Sequence, residues 1–259
     1  MKDDLISIIT ITYNAGKFLE KTILSVLNQT KKNFEYILVD GNSKDNTLDI
    51  IKKYESYIRE GRFGDFSAEN YRWISEPDKG LYDAMNKGVK MAKGEFVWFI
   101  NAGDKIYTEI TLGEIYKRME EENGFDVIYG QSLMIDENDI PLGERHKVAP
   151  EVLTKRSLLN GLVVCHQSII VRKMIAPEYD LQYRISADYD WTIKVLDKSR
   201  RNLYINNYIS KFMIAGLSAQ QRKKSWGERY WIMKKHFGIC STLWAHFVII
   251  LKYPFTRKY

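Results

Sequence analysis

Apolar positions in the first hundred residues switch repeatedly between short β-branched runs and helical repeats. Ile6 to Thr12 reads Ile-Ser-Ile-Ile-Thr-Ile-Thr and predicts a buried first strand. Tyr13-Asn14-Ala15-Gly16 is the turn after it, with Asn14 placed to cap the first helix. Phe18, Leu19, Ile23, Val26 and Leu27 then recur at helical spacing, predicting a helix over 17–29. Glu35 to Val39 predicts a second strand, and Asp40-Gly41-Asn42-Ser43-Lys44-Asp45-Asn46 a polar turn into a helix through Tyr57. A loop with Gly61 and Gly64 leads to a short strand over Tyr71 to Ser75, a turn through Gly80 and a helix to about Lys93. Glu95 to Ile100 predicts a buried strand that stops at Asn101-Ala102-Gly103-Asp104. This alternation predicts an α/β fold, a parallel-dominated sheet between crossover helices. The second half is less regular, with helices near 111–122 and 188–199 and strands near 126–134, 162–171 and 203–209. No internal repeat is visible.

Composition narrows the class. The chain has 259 residues, 45% hydrophobic and 28% charged, with five Pro and sixteen Gly, which excludes disordered, collagen-like and low-complexity chains. Cys165 and Cys240 stand 75 positions apart without a CxxC or paired His spacing, which excludes a disulfide framework and a structural zinc site and fits a reducing cytoplasm. Met1-Lys2-Asp3-Asp4-Leu5 lacks a signal-peptide pattern, and the apolar stretch Leu243 to Leu251 is broken by His246 and ended by Lys252 and Pro254. A cytoplasmic location without a spanning helix is therefore expected. Charge is uneven: from Lys211 to Tyr259 ten Lys or Arg face one acid, Glu228, so this stretch carries the whole of the +6 net charge.

Ligands of open parallel sheets bind at the carboxyl ends of the strands. Four polar clusters follow strands here, at Tyr13-Asn14, Asp40, Asp78 and Asn101 to Asp104, and would open on one edge. Turn formation explains any one of them; together they suit a phosphate-bearing ligand held through a metal or hydrogen bonds. No Walker-type loop and no GxGxxG follows the first strand, so neither a P-loop NTPase nor a dinucleotide oxidoreductase is supported.

The strings Ile8-Ile9-Thr10-Ile11-Thr12-Tyr13-Asn14, Leu38-Val39-Asp40-Gly41-Asn42-Ser43-Lys44-Asp45-Asn46-Thr47, Ser75 to Gly88 (SEPDKGLYDAMNKG) and Phe99-Ile100-Asn101-Ala102-Gly103-Asp104 occur in an order and spacing that resembles the family-2 glycosyltransferases of bacterial surface-polysaccharide synthesis. These are inverting enzymes with the GT-A fold, Rossmann-like in its nucleotide half. The resemblance is dense through residue 104 and returns at Cys165-His166-Gln167-Ser168 and Ser186-Ala187-Asp188-Tyr189-Asp190-Trp191. It implies a glycosyltransferase domain over 1–215, with 1–104 the nucleotide half and 105–215 the acceptor half. It also implies a donor site over Thr12, Tyr13, Asn14, Asp40, Asp78, Lys79, Gly80, Asn86, Asn101 and Ala102. Tyr13 would lie against the base and Asp40 would accept from a uracil-type imide, as an acceptor-only carboxylate can. Asp78, Lys79 and Gly80 would flank the ribose and phosphates; a solvated loop lysine is the alternative for Lys79. The family usually carries Asp-x-Asp after the fourth strand. Here Asn101 and Gly103 stand in those places, leaving Asp104, with diphosphate oxygens and waters, to hold Mg²⁺ or Mn²⁺.

Inversion needs one base for the acceptor hydroxyl, and the resemblance puts it at Asp188, with Asp190 as the alternate. Two acids stabilising a helix start are the competing explanation. His166 and Gln167 would lie near the acceptor or diphosphate, and Ala215-Gly216-Leu217-Ser218 with Gln220 and Gln221 resembles a loop near the donor phosphates. The implied reaction moves a sugar from a nucleotide diphosphate donor, UDP expected, to a hydroxyl of a lipid-linked or growing glycan. A catalytically inactive nucleotide-sugar-binding subunit is the alternative, motivated by Asn101-Ala102-Gly103 and Ala187; a nucleotidyltransferase would want a more basic, Gly-rich first loop. Residues 216–259 form a basic, aromatic helical extension whose Trp226, Tyr230, Trp231, Phe237, Trp244, Phe247, Tyr253 and Phe255 are interleaved with cations. That pattern suits the anionic inner-membrane surface. Packing on its own domain or on a second copy competes with it, whereas nucleic acid is not supported because no nucleic-acid module accompanies the charge.

Overall fold

The computed structural model describes residues 5–122, 124–214 and 222–252, and only the backbone of 222, 223 and 249–252. The loop from Ala215 to Gln221, Tyr253 and Phe255 lie outside the described residues, as does the expected boundary at 215/216.

Four strands open the fold: β1 (Ile6–Thr12), β2 (Phe34–Asp40), β3 (Tyr71–Ser75) and β4 (Phe96–Phe99). They are joined by α1 (Gly16–Leu27), α2 (Thr47–Arg59) and α3 (Leu81–Met91) and pair in parallel, in the order β3-β2-β1-β4. Every residue of β1 and β2 is buried, as expected of strands covered on both faces. Ile6 and Ile8 pack with Leu19, Ile23 and Val26 of α1 on one face. Ile9 and Ile11 pack with Tyr82 and Met85 of α3 on the other. The two cores therefore arise from strand alternation and the helical repeat.

The second half adds β5 (Lys105–Ile106), α4 (Thr111–Glu121), β6 (Val127–Ile135), β7 (Pro141–Glu144), β8 (Ile169–Arg172), α5 (Ala187–Lys198) and β9 (Asn202–Met213). The sheet continues as β4-β8-β6-β9-β5, with β8 antiparallel to both neighbours and β6 parallel to β9. The structure departs from expectation at four places, the first being the two-residue β5, which no expected strand covers. The strand expected over 162–171 begins only at Ile169, because Ser168 turns its hydroxyl to the Gln131 carbonyl (2.8 Å) and the Ser210 hydroxyl (2.7 Å), and His166 to Ser168 form a 3-10 turn. β7 has no counterpart among the expected strands, since all four of its residues are exposed and carry no alternation. Asn14 does not cap α1: its backbone is left-handed (φ 47°), and its side-chain oxygen accepts the Lys44 N–H at 2.8 Å, so it ties the first loop to the second.

The basic tail is helical, α6 (Arg222–Lys252), broken at Gly238 where φ is 77°. Ile232, Met233 and Ala245 join the core shared with α3 and α5. Trp226, Trp231, Leu243, Trp244 and Phe247 point outward and are more than half exposed, Trp244 to 67%. One face of the tail thus packs on its own domain and the other is open. No helix among the described residues is long and apolar enough to cross a membrane.

Candidate active site

Parallel register sets Thr12 beside Asp40, and Asp40 beside Ser75, at the carboxyl ends of β1, β2 and β3. The chain leaving β4 stays beside β1, where the Ala102 N–H donates to the Ile11 carbonyl at 3.1 Å. Thr12, Asp40, Asn101 and Ala102 therefore share one edge, as the strand-end clusters predicted.

Asp40 is fully buried. Its carboxylate accepts the Ser75 hydroxyl at 2.6 Å, the Ser43 N–H at 3.1 Å and also the Ser43 hydroxyl. A carboxylate offers about four acceptor positions, so Asp40 binds the loop ends together and keeps about one position for another donor. Tyr13 beside it is 62% exposed. Between them, Gly41 is packed so closely that a Cβ would lie 2.6 Å from Asp78 Oδ2 and 3.2 Å from Tyr13 Cδ2. A bare Cα is what lets the Tyr13 ring and the Asp78 carboxylate approach one another. The Gly80 N–H donates to Asp78 (2.7 Å) and the Lys79 N–H to Asp83 (2.9 Å), which fixes the turn into α3. The Lys79 ammonium is exposed and meets no carboxylate among the described residues.

Asp104 lies at the other side of this edge, 5% exposed. Burial pushes its carboxyl up to about 7, against the opposing pull of the Met213 N–H (3.0 Å) and the Gln167 amide. The Asn101 side-chain oxygen and the Thr12 hydroxyl are buried without a hydrogen-bond partner. Buried orphan oxygens call for a ligand or ion. A hard divalent cation takes this type of oxygen donor and would give Asp104 a counter-charge, so the donor chemistry of Asp104 and Asn101 is of the kind such an ion takes. Among the described residues no three His, Cys, Asp or Glu form a group that could hold a metal ion.

His166 and Gln167 point in different directions. Gln167 supports Asp104 and accepts the Cys165 thiol at 3.0 Å. His166 Nε2 pairs with the Tyr179 hydroxyl at 2.7 Å inside a group of Phe99, Tyr179 and Trp191, and burial lowers its pKa to about 4, so it is neutral. Asn86 holds the Tyr179 backbone both ways, accepting its N–H (2.8 Å) and donating to its carbonyl (3.1 Å). Asn86, His166 and Gln167 are thus all buried.

Asp188 stands in the first turn of α5, half-buried and in no ion pair among the described residues. The Tyr82 hydroxyl, at the start of α3, donates to the Ile185 carbonyl at 2.8 Å and lies 3.3 Å from Asp188 Oδ1. Tyr82 thereby ties the first turn of α5 to the first turn of α3. Asp190 faces the other way, buried against Lys194 (2.5 Å) and His236 of the tail (2.7 Å). Sequence reasoning did not single out Gly41, Tyr82, Tyr179 or Glu228. Tyr82 lies within the string Ser75 to Gly88, and Glu228 was marked only as the one acid of the tail.

Residues 7–179 match the model of Glycosyl transferase family 2. A PGL/p-HBAD biosynthesis glycosyltransferase of Mycobacterium bovis is 34% identical over 198 residues, 75% of this chain and 70% of that protein. The putative teichuronic acid biosynthesis glycosyltransferase TuaG of Bacillus subtilis is 28% identical over 88% of this chain and 86% of its own. Among solved structures, S. aureus TarS residues 1–349 in complex with UDP-GlcNAc superimposes with a TM-score of 0.68 at 19% identity, covering 98% of this chain and 76% of TarS 1–349. Mannosyltransferase PcManGT from Pyrobaculum calidifontis, with GDP-Man and Mn²⁺, does so at 0.61 and 12% identity, over 96% and 75%. With its motifs on one edge of a GT-A sheet, the chain belongs to glycosyl transferase family 2.

Proposed function

We propose that the protein transfers a sugar from a UDP-linked donor to a hydroxyl of a lipid-linked or growing cell-surface glycan, with inversion and with Asp188 as the base. One observation carries this: Tyr82 links the start of α3, beside the expected phosphate turn, to Asp188 at 3.3 Å. A carboxylate with no ion pair among the described residues, half-open to solvent, can take a proton from a hydroxyl, whereas Asp190 is buried, paired with Lys194 and hydrogen-bonded to His236. The same contrast favours an active enzyme over a binding subunit. Relatives named for PGL/p-HBAD and teichuronic acid biosynthesis, and neighbours solved with UDP-GlcNAc or GDP-Man, support a nucleotide-sugar donor and a surface-polymer acceptor.

Tyr13 offers an exposed ring for the base, Asp40 keeps an acceptor position for a uracil imide, and Lys79 is free to meet phosphate. Asp104 and Asn101 would hold Mn²⁺ or Mg²⁺, which when bound supplies charge to the departing diphosphate. Gln167 keeps Asp104 oriented, and His166 with Tyr179 fixes the floor beneath Asp188. The open aromatic face of the tail, with Lys234 over the Trp231 ring at 4.8 Å, supports a peripheral place on an anionic membrane surface. Asp188→Asn tests the assignment. Loss of transfer with UDP affinity retained is expected, and unchanged turnover with every donor would sink the choice of base.

A further inference from the structure

Beyond the donor edge, three cations gather around the turn that ends at Gly161. Arg145, just after β7, donates to the Leu162 carbonyl at 3.4 Å, and the Lys147 ammonium donates to the Asn160 carbonyl directly over Gly161. Arg229, on the tail helix that packs against the 155–160 turn, leaves its Nε buried without a partner. None of the three meets a carboxylate at ion-pair distance among the described residues. Burial, then the Arg229 and Arg145 charges, brings the Lys147 pKa down to about 8. A surface lysine in a solvated cationic face would show no such desolvation.

A desolvated cation cluster without a carboxylate is incomplete, and guanidinium forks with an ammonium match the oxygens of a phosphoryl group. We propose that Arg145, Lys147 and Arg229 form a phosphoryl-anion site on the acceptor half of the domain. Its neighbours link it to the reaction centre. Arg145 acts on Cys165, whose thiol donates to Gln167 beside Asp104, and Arg229 follows Glu228, which holds the turn before Asp188. The phosphoryl group comes either from the donor's departing diphosphate or from a phosphate-bearing acceptor. The site itself does not depend on sugar transfer; only this choice of source rests on the proposed function.

Calorimetric titration of the full chain with inorganic pyrophosphate, free of metal, tests the site, alongside Arg145→Gln, Lys147→Gln and the charge-retaining Lys147→Arg. Each Gln variant is expected to weaken pyrophosphate binding about tenfold, and Lys147→Arg to keep most of it. The titrations are repeated with saturating UDP. A loss that persists assigns the site to an acceptor phosphate. Competition by UDP, with UDP itself weakened in the Gln variants, assigns it to the departing diphosphate. Equal affinity in all four proteins, or no binding by the unsubstituted chain at millimolar pyrophosphate, overturns the proposal. Acylation of Lys147 in the unsubstituted chain, read by mass spectrometry, provides a check that no folding defect can disturb. Pyrophosphate should slow it several-fold, and an unchanged rate also overturns the site. Because pyrophosphate carries neither nucleoside nor sugar, failure here leaves UDP binding at Tyr13 and Asp78 intact, and failure of sugar transfer leaves the anion site intact.

Discussion

The Glu228 carboxylate accepts the Ser186 backbone N–H at 2.9 Å, reaching from the tail helix to the residue that precedes α5. The same carboxylate takes the N–H groups of Arg184 (3.0 Å) and Ile185 (2.9 Å). These donors lie just before a helix that cannot supply their acceptors, so a charged acceptor from elsewhere in the fold is well placed. The tail's single acid therefore fixes the turn that aims Asp188. Replacing Glu228 by Ala should cost about 2–3 kcal/mol, measured by denaturant unfolding. Glu228→Gln, which keeps an acceptor oxygen, should recover part of that stability. In the folded Gln variant kcat should fall more than UDP affinity; a fall in UDP affinity alone would show that the contact does not act through Asp188.

Gly41 gives a test of the donor edge. In Gly41→Ala the added Cβ would sit 2.6 Å from Asp78 Oδ2, so Asp78 and Tyr13 must separate. UDP affinity is expected to fall about tenfold, the order of one charge-assisted contact or stacked base lost. The melting temperature should change little, since the shift falls on loop side chains at the rim. Undiminished UDP binding by calorimetry would remove Tyr13 and Asp78 from the nucleotide site.

Asp104 sets a pH dependence. Its carboxyl is raised from 3.8 to about 7 in the folded chain, so the folded state holds a proton that the unfolded state releases. Stability from this group is full below about pH 4 and declines as pH rises through about 7. Mn²⁺ favours the ionised carboxylate, so the metal-induced rise in melting temperature should be larger at pH 8 than at pH 5, and binding near pH 6 should release up to about one proton. Asp104→Asn should flatten both effects. An equal Mn²⁺ response in the Asn variant would place the cation elsewhere.

The tail is tested by point changes rather than by removal, because Glu228, Ile232 and Met233 are part of the fold. Trp231→Ser and Lys234→Gln alter only its open face. Together they should lower binding to anionic vesicles, with about 1 kcal/mol from the lysine, and leave UDP affinity unchanged. Sedimentation with anionic and neutral vesicles measures this. Wild-type protein that stays in solution with both would leave the aromatic face to a second copy of the chain.

His166 reports on the buried aromatic group. Burial holds its pKa near 4, so protonation of the unfolded chain opposes folding as pH falls from about 6.5 toward 4. His166→Gln should lose that part of the acid dependence, visible as a flatter stability profile over this range.

The sequence by itself determined the part of this protein governed by local repetition. The β-branched run of Ile6 to Thr12, the helical spacing of Leu19, Ile23 and Val26, and polar clusters at strand ends specify parallel strands, crossover helices and one binding edge, because strand and helix periods are short-range properties. The ordered motifs also marked Asp40, Asp78, Asp104 and Asp188 as candidates. Only the tertiary structure decided what each contacts. Asp188 and Asp190 are two residues apart and equally acidic, yet one helical turn puts Lys194 on Asp190, packing of the tail adds His236, and Asp188 is left in no ion pair among the described residues. Asn86 and His166 look like polar site residues in one dimension, but both are buried in contact with Tyr179. The cation cluster joins residues near 145 and 229, and the turn before α5 depends on an acid 42 residues later. Such pairings arise from how far-separated surfaces fit and how buried charges find partners, and neither is encoded in spacing along the chain.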